Sequence, residues 1–154
     1  MKTRAMNASR TLLGLALLLP ASAAVASAPA ACLPKVEKAW IRAAPPTATV
    51  LAGYAVLRND CRLPFILTGA KSPDFMMAQI HESKMVDGSM QMRHAKRTTL
   101  AANSVLTFET GHQHLMLMHP RRKLPEGTVV KLDLLLEDGR RIPASFTVRK
   151  NAPD

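Results

Sequence analysis

From Lys35 onward, no stretch of this chain repeats its apolar residues every three or four positions. They come instead in short runs, alternating or unbroken, each closed by Pro, Gly, Asn or Asp, and that pattern argues for strands and against a helical core. "KVEKAWIR" (Lys35 to Arg42) sets Val36, Lys38 and Trp40 against Glu37, Ala39 and Ile41, and proline-broken "AAPPTATV" follows it. "LAGYAVLRND" ends on an Asn-Asp turn, and "LPFILTGAKSP" is a third strand. "TVVKLDLLLEDGRRIPASFTVRK" folds back on itself at Asp138-Gly139. Short strands at this spacing predict one all-β domain, a sandwich or barrel with Greek-key connections.

The chemistry lies in two of these segments. Asp87-Gly88 joins "FMMAQIHESKMV" to "SMQMRHAKR", and Asp-Gly between alternating runs is the strongest local hairpin signal, because a type I′ turn needs two residues at positive φ. With Asp87 and Gly88 as the loop, Val86 faces Ser89, Met85 faces Met90, Ser83 faces Met92 and His81 faces His94. His81 and Met92 then share a face as diagonal neighbours. In "HQHLMLM", period-two alternation puts Leu115 and Leu117 on one face and His112, His114, Met116 and Met118 on the other. Two imidazoles suit neither a dry core nor an ordinary wet surface. Thioether sulfur is soft, uncharged and a poor ligand for zinc or magnesium, whereas Cu(I) takes sulfur and imidazole together. From spacing alone, a soft-metal site and a methionine-rich packing face both account for these residues. The zinc-hydrolase signal fails at His81-Glu82, since "HESKM" lacks the second histidine of H-E-x-x-H.

The front of the chain bears on compartment. Lys2, Arg4 and Arg10 precede "TLLGLALLLP" and the small-residue stretch "ASAAVASAPA", which together read as a secretory signal over residues 1–28, leaving residues 29–154 as the mature domain. The apolar core from Leu12 to Leu19 is shorter than the about 20 residues of a bilayer span, so no stable membrane insertion is expected. Cys32, in "PAAC", has Pro29 where a lipid-attachment site usually carries an aliphatic residue. Removing Lys2, Arg4 and Arg10 from 21 basic residues leaves 18 against 11 acidic ones, a formal charge of about +7. Export, few aromatics and scattered basic residues argue against nucleic acid and for steering toward an acidic partner or membrane surface. Cys32 and Cys61 in an oxidising compartment predict a single disulfide.

The stretch from His81 through "DGSMQM" to "HQHLMLM" closely resembles the periplasmic copper chaperones of the PCu(A)C family (DUF461). That family is marked by a histidine, ten residues, a methionine, twenty-one residues and then His-x-Met, and His81, Met92, His114 and Met116 fit this spacing without a gap. "AWIRAAPP", "AGYAVLRN" and "LPEGTVVKLDLLLEDG" extend the resemblance over nearly the whole mature chain. It implies a cupredoxin-like Greek-key β-barrel, not an enzyme, that holds one Cu(I) through those four residues in the periplasm. The acceptor implied is the copper subunit of cytochrome c oxidase, at its CuA centre, alongside Sco-type thioredoxin-like partners. His112 is an additional candidate ligand, for Cu(II) in particular. The two cysteines fall outside the metal motif, in keeping with a disulfide, and with no Met/His-rich tail after the last strand one principal site is expected. Two other readings stand beside delivery: a protein that sequesters excess copper for tolerance, and an electron-transfer cupredoxin, which would need a cysteine thiolate with two histidines.

Overall fold

A computed structural model describes residues 32–154, and the export segment read over residues 1–28 lies outside them. Ten strands account for the fold: β1 (Lys35–Arg42), β2 (Val50–Asn59), β3 (Phe65–Lys71), β4 (Phe75–Val86), β5 (Ser89–His94), β6 (Thr98–Leu100), β7 (Ser104–Phe108), β8 (Gln113–Pro120), β9 (Val129–Leu136) and β10 (Arg141–Arg149). Among the described residues there is no helix. Seven strands, in the order β4-β8-β2-β1-β10-β9-β3, close into a barrel where β3 pairs back onto β4 at Ala70 and Ala78. Ring neighbours are often distant in sequence, as Greek-key connections require. The fold is the expected cupredoxin-like β-barrel.

Alternation fills the barrel. Ile80 of β4, Leu115 and Leu117 of β8, Leu57 of β2 and Phe146 of β10 are fully buried, each worth about 1.5–3 kcal/mol removed from water. The residues between them on β4 and β8 therefore face outward. Gly53 of β2 lets β8 come close, since a Cβ there would lie 3.2 Å from Leu115 Cβ.

Two local departures from simple alternation matter. Lys38 sits at φ 49°, and the β1–β2 register shifts between Glu37 and Trp40, so a β-bulge inverts the later half of β1. Ile41 therefore points into the core, while Trp40 pairs with Tyr54 on the other face, ring centroids 4.9 Å apart. The second departure lies between β7 and β8, which run in line along the same edge of β2. Ala55 pairs with Phe108 and Gly53 with Leu115, so residues 109–114 stand opposite Tyr54 alone and must loop outward.

At the far end of β2 the chain is tied twice. Buried Asn59 donates from Nδ2 to the Leu63 carbonyl at 2.9 Å and the Ala101 carbonyl at 2.8 Å, and its Oδ1 accepts from the Cys61 amide at 3.0 Å. Cys61 forms a disulfide with Cys32. A sulfur engaged in that bond is not available for lipid attachment.

Candidate metal centre

The Asp-Gly turn sets the register of the β4–β5 hairpin as the sequence predicts. Asp87 and Gly88 both have positive φ, 48° and 77°, and the pairs are Val86 with Ser89, Met85 with Met90, Ser83 with Met92, and His81 with His94. The other edge of β4 pairs with β8, matching His81 to His114, Gln79 to Met116 and Met77 to Met118. Directly opposed residues of antiparallel strands share a face. His81 thus has His94 on one side and His114 on the other, with Met92 and Met116 on its two diagonals. The four residues singled out by spacing all lie on one outward face of three adjacent strands.

The imidazoles are close. His81 lies 5.7 Å from His94 and 6.3 Å from His114, centroid to centroid. His114 is only 6% exposed, whereas Met92 is 61% exposed; before His114 the chain passes through a loop at residues 109–112. That loop is closed by Glu109, whose amide donates to the Gln113 carbonyl at 2.7 Å, with Gly111 at φ 83°. It is pinned to β4 by the Ser83 amide, which donates to the His112 carbonyl at 3.1 Å.

The same carbonyl orients His114. His114 Nδ1 stands 3.1 Å from the His112 oxygen, which can only accept, so Nδ1 carries the proton and the lone pair sits on Nε2. On the opposite strand Gln79 Oε1 accepts from His81 Nε2 at 3.1 Å, placing the His81 lone pair on Nδ1. That Nδ1 is buried with no hydrogen-bond partner. A buried nitrogen lone pair without a donor is costly in an ordinary fold and is what a metal ligand requires.

The set is selective. Among the described residues no group of three or more His, Cys, Asp or Glu is arranged to hold a metal ion. The thioethers of Met92 and Met116 beside these imidazoles are donors that favour a soft ion over a hard one. Cys32 and Cys61 are both in the disulfide, so among the described residues there is no free thiol for a blue-copper centre. His81 is also kept neutral: burial, then repulsion from His94 and then from His114, holds its imidazole below the ordinary 6.5.

Sequence reasoning missed two contributors. Gln79 lies two residues before His81, so period two alone could have placed it on this face. The His112 carbonyl needed the three-dimensional pairing, whereas His94 opposite His81 follows from the hairpin register. His112 itself precedes β8, in the turn, with its Nε2 4.0 Å from Glu109 Oε1. It follows Gly111 at φ 83° and lies one residue before the start of β8.

Two expectations follow for the apo and loaded protein. Gln79→Leu frees the His81 ring to rotate and change tautomer, and Cu(I) affinity in a chelator competition titration should fall about 10- to 100-fold. The second concerns protons. Because the folded His81 value is lowered, the unfolded chain takes up a proton below 6.5 that the folded chain refuses. Its contribution to apo-protein stability is complete above that pH and is lost as pH falls through it toward the folded value. Urea midpoints measured from pH 7.5 to 5 should show this decline, and His81→Gln should flatten it.

The model of the LpqE-like lipoprotein family matches residues 35–148. Several solved structures are similar. A copper-bound PCuAC domain from PmoF2 is 25% identical, with a TM-score of 0.62 over 78% of this chain and 93% of that one. Apo-DR1885 from Deinococcus radiodurans is 28% identical, with a TM-score of 0.61 over 93% of this chain and 97% of that one. Cu(I)-DR1885 from the same organism is 31% identical, with a TM-score of 0.59 over 79% and 83%. No curated protein sequence matches the chain significantly.

Proposed function

The chain belongs to the LpqE-like family, the PCuAC (DUF461) group, and from that premise we propose that it is an exported copper carrier that binds Cu(I) through His81, Met92, His114 and Met116 and yields it to an acceptor protein by ligand exchange. The observation that carries this reading is that two histidines and two methionines share one outward face of three adjacent strands, with His81 Nδ1 buried and unpartnered. All four donors are neutral. Cu(I) bound there keeps its single positive charge, and the site holds it by softness without the thiolates that would grip it harder and oxidise outside the cytosol.

Exposed Met92 is the donor that an incoming ligand displaces first, while covered His114 holds the ion during exchange. Copper then passes between proteins without being released. The net positive charge steers the carrier toward an acidic acceptor surface. By resemblance that acceptor is the CuA subunit of cytochrome c oxidase in the periplasm, with Sco-type proteins alongside.

The test is anaerobic Cu(I) titration of the mature protein against a chromophoric chelator, with copper-edge X-ray absorption on the loaded sample. One tightly held equivalent with mixed sulfur and nitrogen scattering is expected. Nitrogen and oxygen scattering alone would overturn the reading. Storage for tolerance is separated from delivery by a deletion strain: a carrier for the oxidase loses oxidase activity under copper limitation, and a sequestering protein loses growth under copper excess.

A further inference from the structure

The hairpin β4–β5 carries more soft donors than one copper ion needs. Beyond Ser83, whose amide still donates to the His112 carbonyl, it leaves the barrel wall: Lys84 to Val86 pair with β5 alone, and every residue of β5 is exposed. Neither face of this projecting ribbon packs on the core. Its faces nevertheless differ sharply. One carries Glu82, Lys84, Gln91 and Arg93, with a Lys84–Glu82 ion pair at 3.0 Å and an Arg93–Gln91 hydrogen bond at 3.0 Å. The other carries His81, Ser83, Met85, Met90, Met92 and His94.

Core packing explains none of the outer methionines. Met85 is 64% exposed and Met90 55% exposed, directly opposite each other next to the turn. Opposed residues have Cβ atoms about 4.5–5.5 Å apart, so two flexible thioether side chains can close on one ion between them. Met90 is two residues from Met92 along β5, about 6.8 Å, so a single exchange step connects the pair to Met92.

We propose that Met85 and Met90 form a second, weaker Cu(I) station at the hairpin tip, through which the ion enters and leaves the His81, Met92, His114 and Met116 site. Two neutral thioethers bind a soft monovalent cation and have little attraction for Zn(II), Mg(II) or Ca(II). The step is a ligand exchange: a Met92 sulfur–copper bond forms as a Met90 or Met85 bond breaks. Copper stays Cu(I), and no proton or electron moves. The station lies farther from the buried imidazoles than any other donor on this face, where an acceptor or donor protein reaches it first. This inference rests on the Cu(I) reading of the main site.

The experiment is a titration of the apo-protein with Ag(I), a redox-inert soft cation, and then with Cu(I) under argon, following the methionine methyl resonances. The first equivalent should shift Met92 and Met116, and the second should shift Met85 and Met90. A Met85→Leu, Met90→Leu double variant keeps side-chain size on an exposed ribbon. It should retain first-site affinity, lose the second equivalent, and load from a Cu(I) chelator about tenfold more slowly or worse. If Met85 and Met90 stay unmoved through two equivalents while Met92 and Met116 shift, the tip station is overturned and the carrier reading stands. Loading of the double variant at the wild-type rate overturns the relay. If Met92 and Met116 do not shift at the first equivalent, the carrier reading falls and the relay with it.

Discussion

Met92→Ala lowers the affinity for Cu(I) by about a hundredfold or more and leaves the barrel's stability within about 0.5 kcal/mol of the parent. The first magnitude follows from the donor count. Loss of an outer-sphere partner that only orients a ligand already costs about 10- to 100-fold in metal affinity, so loss of a donor itself sits at or beyond the top of that range. The second follows from place: Met92 is 61% exposed, on a strand whose residues are all exposed, and its removal opens no cavity. Chelator competition and urea unfolding on one preparation measure both. His114→Ala should lose copper to a similar degree but also destabilise the fold, because this side chain is 6% exposed and supports the 109–112 loop through the His112 carbonyl. An affinity for Cu(I) unchanged in Met92→Ala would remove β5 from the site and leave a two-strand arrangement on β4 and β8.

How far the site was legible in the sequence depends on how local each determinant is. The hairpin register was fully legible, since Asp87-Gly88 requires two positive-φ residues and thereby fixes every pair from Val86–Ser89 to His81–His94. That β8 lies along the other edge of β4 was not. It is a pairing between segments some thirty residues apart, and alternation says only which face a residue takes, never which strand is its neighbour. Spacing therefore left copper and a packing face open, and the family pattern supplied what periodicity lacked. His112 lies just outside β8: "HQH" reads as alternation, but the strand begins at Gln113, and the His112 carbonyl, following Gly111 at φ 83°, stands 3.1 Å from His114 Nδ1. The bulge at Lys38 had no glycine to signal it, so the inward turn of Ile41 and the outward turn of Trp40 were not legible.

Replacing both Cys32 and Cys61 by serine should destabilise the fold by about 3–4 kcal/mol, from the loop-closure entropy that a bridge across a sequence separation of 29 removes from the unfolded chain. Against a total of about 5–15 kcal/mol for an ordinary domain, that is a large fraction, read as a marked fall in the urea midpoint. Cu(I) affinity should stay at the parent value in the folded variant. Cys61 lies beyond the C-terminal end of β2, while the copper face borders β2 at Ala52 and Gly53, about 25 Å away along the strand. A folded double-serine variant with weakened copper binding would mean that the two ends of the barrel are coupled. The bridge has a second consequence that the serine variant cannot show but reduction can. The two cysteine Cα atoms are 6.0 Å apart, close enough for both reduced sulfurs to take one soft ion. Reduced parent protein should therefore bind an additional Cu(I), held more tightly than at the neutral His/Met face and lost on reoxidation. Oxidised, the same sulfurs are unavailable, so the disulfide both ties the segment before β1 to the segment after β2 and leaves soft-ion binding to the His/Met face.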